Sequence, residues 1–171
     1  MEIKRNIEQK LIEWKESVHR KPLILRGARQ VGKTFSLEKF GENNFKQTAY
    51  FNFDEQAELK QFFKDTKDVH RILRNLSLVF GNEIKPDTTL IVFDEIQECN
   101  EALGTLKYFC EKAPEYAVVA AGSLLGVAMA KGRTFPVGKV DFIDIYPVTF
   151  LEFLSFSNPR ISAILDSISE E

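Results

Sequence analysis

Residues 27–34 read GARQVGKT and follow the apolar run PLIL. The stretch matches G-x-x-x-x-G-K-[S/T], a spacing suited to holding phosphate. Gly27 and Gly32 are expected to take positive φ and to let the backbone approach a ligand closely. The N–H groups of the segment Gly27, Ala28, Arg29, Gln30, Val31, Gly32, Lys33, Thr34 and Phe35 then form an anion nest, with the dipole of the following helix aimed at the same spot. Lys33 supplies a cation for the β- and γ-phosphates, and the Thr34 hydroxyl supplies a ligand for Mg²⁺. By ordinary residue frequencies the pattern arises by chance in roughly one chain of this length in a hundred or fewer. Here it also falls between a predicted strand and a predicted helix.

A second cluster is LIVFDEIQ at residues 90–97. Asp94 follows four apolar residues, so its carboxylate emerges where a buried strand surfaces and is placed to hold Mg²⁺ together with Thr34. Glu95 is suited to orient and polarise an attacking water. The competing reading is a helix N-terminus, which favours acids through its dipole. Ser123, after the strand YAVVAAG, reads either as a sensor of the γ-phosphate or as an N-cap serine. Arg29, Arg133 and Lys139 are candidate cations for a γ-phosphate, in cis or from a second copy. A solvated loop charge is the alternative for Arg133 and Lys139, and Arg26 reads as a rim residue. His19 and His70 lack partners at metal spacing.

The elements that must position these residues follow from periodicity. Ile3, Ile7, Leu11, Trp14 and Val18 step by threes and fours, which predicts an amphipathic helix over 3–19. LIL, TAYFNF, TTLIVFDE, YAVVAAG and VDFIDIY read as strands. TFSLEKFG reads as a helix stopped by Gly41, EQAELKQFFKD as a helix, and DVHRILRNLSLVF as a helix closed by Gly81. EALGTLKYFCEKA is helical, SLLGVAMA opens another helix, KGRTFPVGK is loop, and VTFLEFLSF is a short helix. Strands alternating with helices predict an α/β chain with a mostly parallel five-stranded sheet covered on both faces. Right-handed crossovers then place the C-terminal ends of the strands, and so all three chemical signals, on one edge.

Bulk properties agree with one compact unit. The chain has 171 residues, 44% of them apolar, and a net charge of −2. That length suits one domain, and the balanced charge gives no global pull toward nucleic acid or anionic membrane. No apolar run reaches the roughly 18 residues a membrane span requires. The charged N-terminus does not resemble a signal peptide. Cys99 and Cys110 match neither a metal nor a redox spacing, so a cytoplasmic chain with reduced thiols is expected. The fifteen phenylalanines fall mostly on buried phases and read as core.

RGARQVGKT, LIVFDEIQ, AAGSLLGVA and FPVGKVDFIDIYPVTFLEFL, in this order, resemble a large prokaryotic group of AAA-type ATPases. The similarity runs from about residue 4 to 156. It implies a three-layer P-loop NTPase fold in which the acidic-pair strand is not sequence-adjacent to the phosphate-loop strand. It also implies ATP as nucleotide, Lys33 and Thr34 at the phosphates and magnesium, Asp94 on the metal, Glu95 as water activator and Ser123 near the sensor position. Members usually continue into a second domain, tied to partner or DNA interaction. The expected organisation is therefore an N-terminal helix at 1–20, an ATPase core at 21–156, and a tail at 157–171 that reads as the start of a truncated second domain. The leading expectation is Mg²⁺-dependent ATP hydrolysis, with a homo-oligomer among the assemblies it allows. A non-catalytic ATP switch acting on a protein or DNA partner, and a small phosphoryl-transfer kinase, are the alternatives.

Overall fold

A computed structural model describes residues 5–122, 136 and 138–158. Helix α1 (Asn6–Glu16) buries Ile7, Leu11 and Trp14 on one stripe. It is shorter than its periodicity predicts. Ser17 turns to an extended ψ of 126°, and the Trp14 indole N–H donates to Lys21 O at 2.8 Å. That bond draws the chain round toward the first strand and leaves Val18 93% exposed, outside the stripe.

Among the described residues five strands follow: β1 (Leu23–Arg26), β2 (Gln47–Asn52), β3 (Thr89–Asp94), β4 (Ala117–Gly122) and β5 (Asp141–Asp144). Their order is β2-β3-β4-β1-β5, and every pairing is parallel. β3 and β4 are buried along their whole length, as uninterrupted apolar runs covered on both faces must be. β4 separates β1 from β3, so the loops after β1 and β3 flank the end of β4.

Alternate residues face opposite layers. Leu23, Leu25, Leu90, Val92, Val119 and Ala121 share a core with α1 and with α2 (Lys33–Asn44). Ile24, Phe51, Ile91, Phe93, Val118 and Ala120 share the other with α3 (Leu59–Asp65), α4 (Val69–Phe80) and α5 (Asn100–Lys112). The phenylalanines cluster in this second core: Phe63 meets Phe53 at 5.4 Å and Phe93 at 5.5 Å between ring centroids. Of the pair in QFFKD, Phe63 is buried in this cluster and Phe62 packs against it.

Local signals set most boundaries. Asp68 caps α4 by accepting from the His70 and Arg71 N–H groups, and Gly81 closes it with a φ of 77°. Thr149 and Glu152 form a reciprocal capping box on α6 (Phe150–Ser157). Two further expectations fail. α2 runs through Gly41 to Asn44, because Gly41 is a packing contact and not a stop: a Cβ there would lie 2.1 Å from Thr48 Oγ1. α3 begins only at Leu59, because Asn52 Oδ1 accepts from the Asp54 N–H at 2.9 Å and bends residues 53–58 into turns. The expected helix at SLLGVAMA lies outside the described residues.

Candidate functional site

The parallel register brings the strand ends to one edge. Arg26, the last residue of β1, lies level with Gly122 of β4 and Asp144 of β5. Asp94, the last of β3, lies level with Asn52 of β2. Residues 27–32 join β1 to α2 as a loop on this edge. Gly32 has a φ of 89° immediately before α2, and Gln30 has a φ of 61°. Gly27 is not in the left-handed region, contrary to expectation, and its requirement is steric. A Cβ there would stand 2.5 Å from Ile145 O, on the segment leaving β5.

Lys33 is 7% exposed. Its ammonium donates to Gly27 O at 3.0 Å and Ala28 O at 2.6 Å, which leaves one of its three donors. Burial lowers the Lys33 pKa, the Glu95 and Asp94 carboxylates oppose that, and the Arg29 charge adds to it. The loop is also braced from behind. Arg5, ahead of α1, donates to Val31 O at 3.3 Å and Tyr146 O at 2.6 Å, and its Nε lies 3.4 Å from Glu152 Oε1.

The Thr34 hydroxyl donates to Asp94 Oδ2 at 2.8 Å across 60 residues of sequence. The buried Asp94 carboxylate also accepts from the Tyr50 hydroxyl on Oδ2, and from the Glu95 N–H on Oδ1 at 2.9 Å. Burial, then the hydrogen bond to Asp94 and that carboxylate's charge, push the Tyr50 phenol above its ordinary range. Glu95 is held in the left-handed region at φ 49°, ψ 44°, a costly conformation for a side-chain-bearing residue and one that concentrates at functional sites. Its carboxylate accepts from the Gln97 side-chain amide. Lys33, Thr34 and Glu95 line a cleft of about 580 Å³ with Arg29, Asp54 and Gln97. Phe35, at its margin, is 56% exposed.

A family model described as an AAA domain matches residues 19–154. The chain belongs to the AAA-type P-loop ATPase family. The Walker-type ATPase paby2304 of Pyrococcus abyssi matches this AAA chain with a TM-score of 0.59 at 19% identity, over 94% of this chain and 59% of that one. The Aeropyrum pernix ORC1 protein, solved in complex with DNA, matches with a TM-score of 0.50 at 15% identity, over 97% of this chain and 48% of that one. At such identities both likenesses are of the P-loop fold, and the chain spans about half the length of each structure. A search of curated proteins found no match.

In this AAA chain the other candidates separate. Ser123 and Arg133 lie outside the described residues. Lys139 precedes β5 at the opposite end of the sheet, since Asp141 is level with Leu23, the start of β1, and it pairs with Glu111 at 3.0 Å. It is therefore not brought to the loop in cis. Arg29 does line the cleft. Arg26 forms a two-pronged pair with Asp144, both contacts at 2.8 Å, and lies over the Phe142 ring. His19 and His70 are exposed. Sequence reasoning missed Tyr50, Gln97 and Arg5. The first needed the β2–β3 register, the second the turn after Glu95, and the third a contact across 141 residues.

Proposed function

We propose that the chain binds ATP with Mg²⁺ and hydrolyses it. The observation that carries this reading is the Thr34–Asp94 hydrogen bond, which joins the phosphate-type loop to the acidic strand end. The residues fit a magnesium nucleotide. The Thr34 hydroxyl uses its proton on Asp94 and keeps lone pairs for a cation, and Asp94 Oδ1 has acceptor capacity left. Two hard oxygen donors suit Mg²⁺, which takes its remaining ligands from phosphates and water. Magnesium, when bound, offsets the charge of the β- and γ-phosphates.

The chain's own residues do the rest. The amides of residues 27–35 receive the phosphates, and Lys33 places its ammonium on the β/γ pair, where an anion restores the charge stabilisation that burial removes. Thr34 and Asp94 hold the metal. Glu95 orients the attacking water and accepts its proton, and Gln97 fixes that carboxylate meanwhile. Ser123 and a cation from Arg29 or Arg133 complete the γ-phosphate contacts, with a second copy as one source of the cation. Residues 21–156 form the ATPase core, 1–20 lead into it, and 157–171 form the tail. No helix among the described residues is long and apolar enough to cross a membrane.

A binding panel of ATP against GTP, with and without Mg²⁺, tests the first step. ATP binding that strengthens with Mg²⁺ and is lost in Lys33→Ala is expected. Phosphate release by wild type and Glu95→Gln tests the second, with a fall of about 10²-fold or more expected for loss of the general base. Equal, non-zero rates would remove Glu95 from its role, and binding without turnover would favour the nucleotide switch.

A further inference from the structure

We propose that Tyr50 is a positioning residue for the magnesium site, fixing the orientation of the Asp94 carboxylate through its hydroxyl. The inference rests on the Mg²⁺–nucleotide reading of the site and extends it to a strand that the phosphate-loop pattern does not include.

Tyr50 lies on β2, at the edge of the sheet of described residues and paired with β3, and sits level with Val92. Asp94 is two residues further along β3, about 6.6 Å by the rise of a strand. The length of a tyrosine side chain spans that offset, and its hydroxyl reaches Asp94 Oδ2. The ring is partly buried and packs against the core layer to which Leu90 and Val92 belong. The phenol is thus aimed by packing, and its torsional freedom is small.

The contact decides which lone pairs of Asp94 remain. Oδ2 receives two donors, the Thr34 and Tyr50 hydroxyls, which matches its two lone pairs. Among the described residues Oδ1 receives one, the Glu95 N–H at 2.9 Å. With the Tyr50 hydroxyl in place, rotation of the carboxylate breaks three hydrogen bonds, Oδ2 is filled, and the spare acceptor capacity stays on Oδ1. With only Thr34 and the Glu95 amide, rotation breaks two bonds, and the same carboxylate has an unfilled site on each oxygen. A metal held partly through Asp94 needs the first situation. Partners that orient a metal ligand in this way typically contribute 10–100-fold to metal affinity.

The test titrates Mg²⁺ into protein carrying a fluorescent, non-hydrolysable ATP analogue and reads the half-saturating Mg²⁺ concentration. Tyr50→Phe keeps the ring and removes the hydroxyl. Its Mg²⁺ midpoint is expected to rise about tenfold, while affinity for the analogue in EDTA stays within about twofold of wild type. Tyr50 acts through Asp94, so in an Asp94→Asn background the same substitution adds nothing further. A parallel reading leaves Tyr50 in place: Mg²⁺ added to the wild-type analogue complex shifts the tyrosine ultraviolet absorbance, and Asp94→Asn abolishes the shift.

An unchanged midpoint in Tyr50→Phe overturns the proposal, as does additivity with Asp94→Asn or the absence of the absorbance shift. A lower midpoint overturns it too, by making the phenol a competitor of the metal. Wild-type binding indifferent to Mg²⁺ would instead remove the magnesium–nucleotide reading, and this inference with it.

Discussion

Gly27→Ala is the sharpest perturbation of the loop, because the structure states what the added methyl would strike. An ideal Cβ at Gly27 lies 2.5 Å from Ile145 O, 2.6 Å from Ile145 Cγ2 and 3.1 Å from Val31 Cγ2. The two side-chain carbons can rotate away. The carbonyl cannot retreat freely, because the N–H of the same residue donates to Arg26 O at 2.8 Å and fastens the β5 exit to the β1 exit. A tolerable contact of 3.0–3.4 Å requires the two segments to part by 0.5–0.9 Å. Overpacking of this kind costs about 1–3 kcal/mol, and at about 2–4 °C per kcal/mol for a chain of this size the melting temperature falls by roughly 2–12 °C.

The more telling effect is on the ligand. A displacement near 1 Å in a positioned array costs on the order of 10²-fold, so ATP affinity is expected to fall at least tenfold. Gly81→Ala provides the comparison. Gly81 has a φ of 77° with nothing within 4 Å of its added Cβ, so that variant loses about 1–2 kcal/mol through backbone strain alone and lies at the far end of α4. Calorimetric melting and nucleotide titration at a temperature where both variants are folded separate the two effects. If Gly27→Ala binds ATP as Gly81→Ala does, the steric account of the loop is wrong.

Two further perturbations probe packing. Gly41→Ala gains roughly 1 kcal/mol of helix propensity but sets a Cβ 2.1 Å from Thr48 Oγ1 and 3.1 Å from Thr48 Cβ. Net destabilisation is expected, with Thr48→Ala restoring part of the loss in chemical denaturation, and additive effects would refute the contact. Glu152→Gln should destabilise the fold. Burial alone would raise the Glu152 carboxyl, but the Thr149 and Asn6 N–H groups and the Arg5 guanidinium outweigh it and hold the pKa below the ordinary 4.5. Loss of charge-assisted hydrogen bonds costs about 2 kcal/mol. Because the folded pKa is depressed, this stabilisation is present above pH 4.5 and fades as pH falls through the folded value. The difference from wild type should shrink in acid, and a constant difference would refute the assignment.

What the sequence discloses here is what depends on short windows. The loop is legible because residue type and spacing carry its chemistry within eight positions, and β3 and β4 because strands buried on both faces read as unbroken apolar runs. The same windows mislead where one residue type serves two ends. Gly41 looks like a helix stop, yet it answers to Thr48 on the next strand. Gly27 looks like a positive-φ hinge, yet it answers to Ile145, 118 positions away. Asp94 was legible and Tyr50 was not, although they share a hydrogen bond. The aspartate announces itself by ending an apolar run, whereas the tyrosine is one of many aromatics suited to a strand. Only the β2–β3 register singles it out. A slip of one residue in that register would turn the ring to the opposite face. The position of the Asp94 carboxylate is thus set by the pairing of an edge strand as much as by the loop it faces.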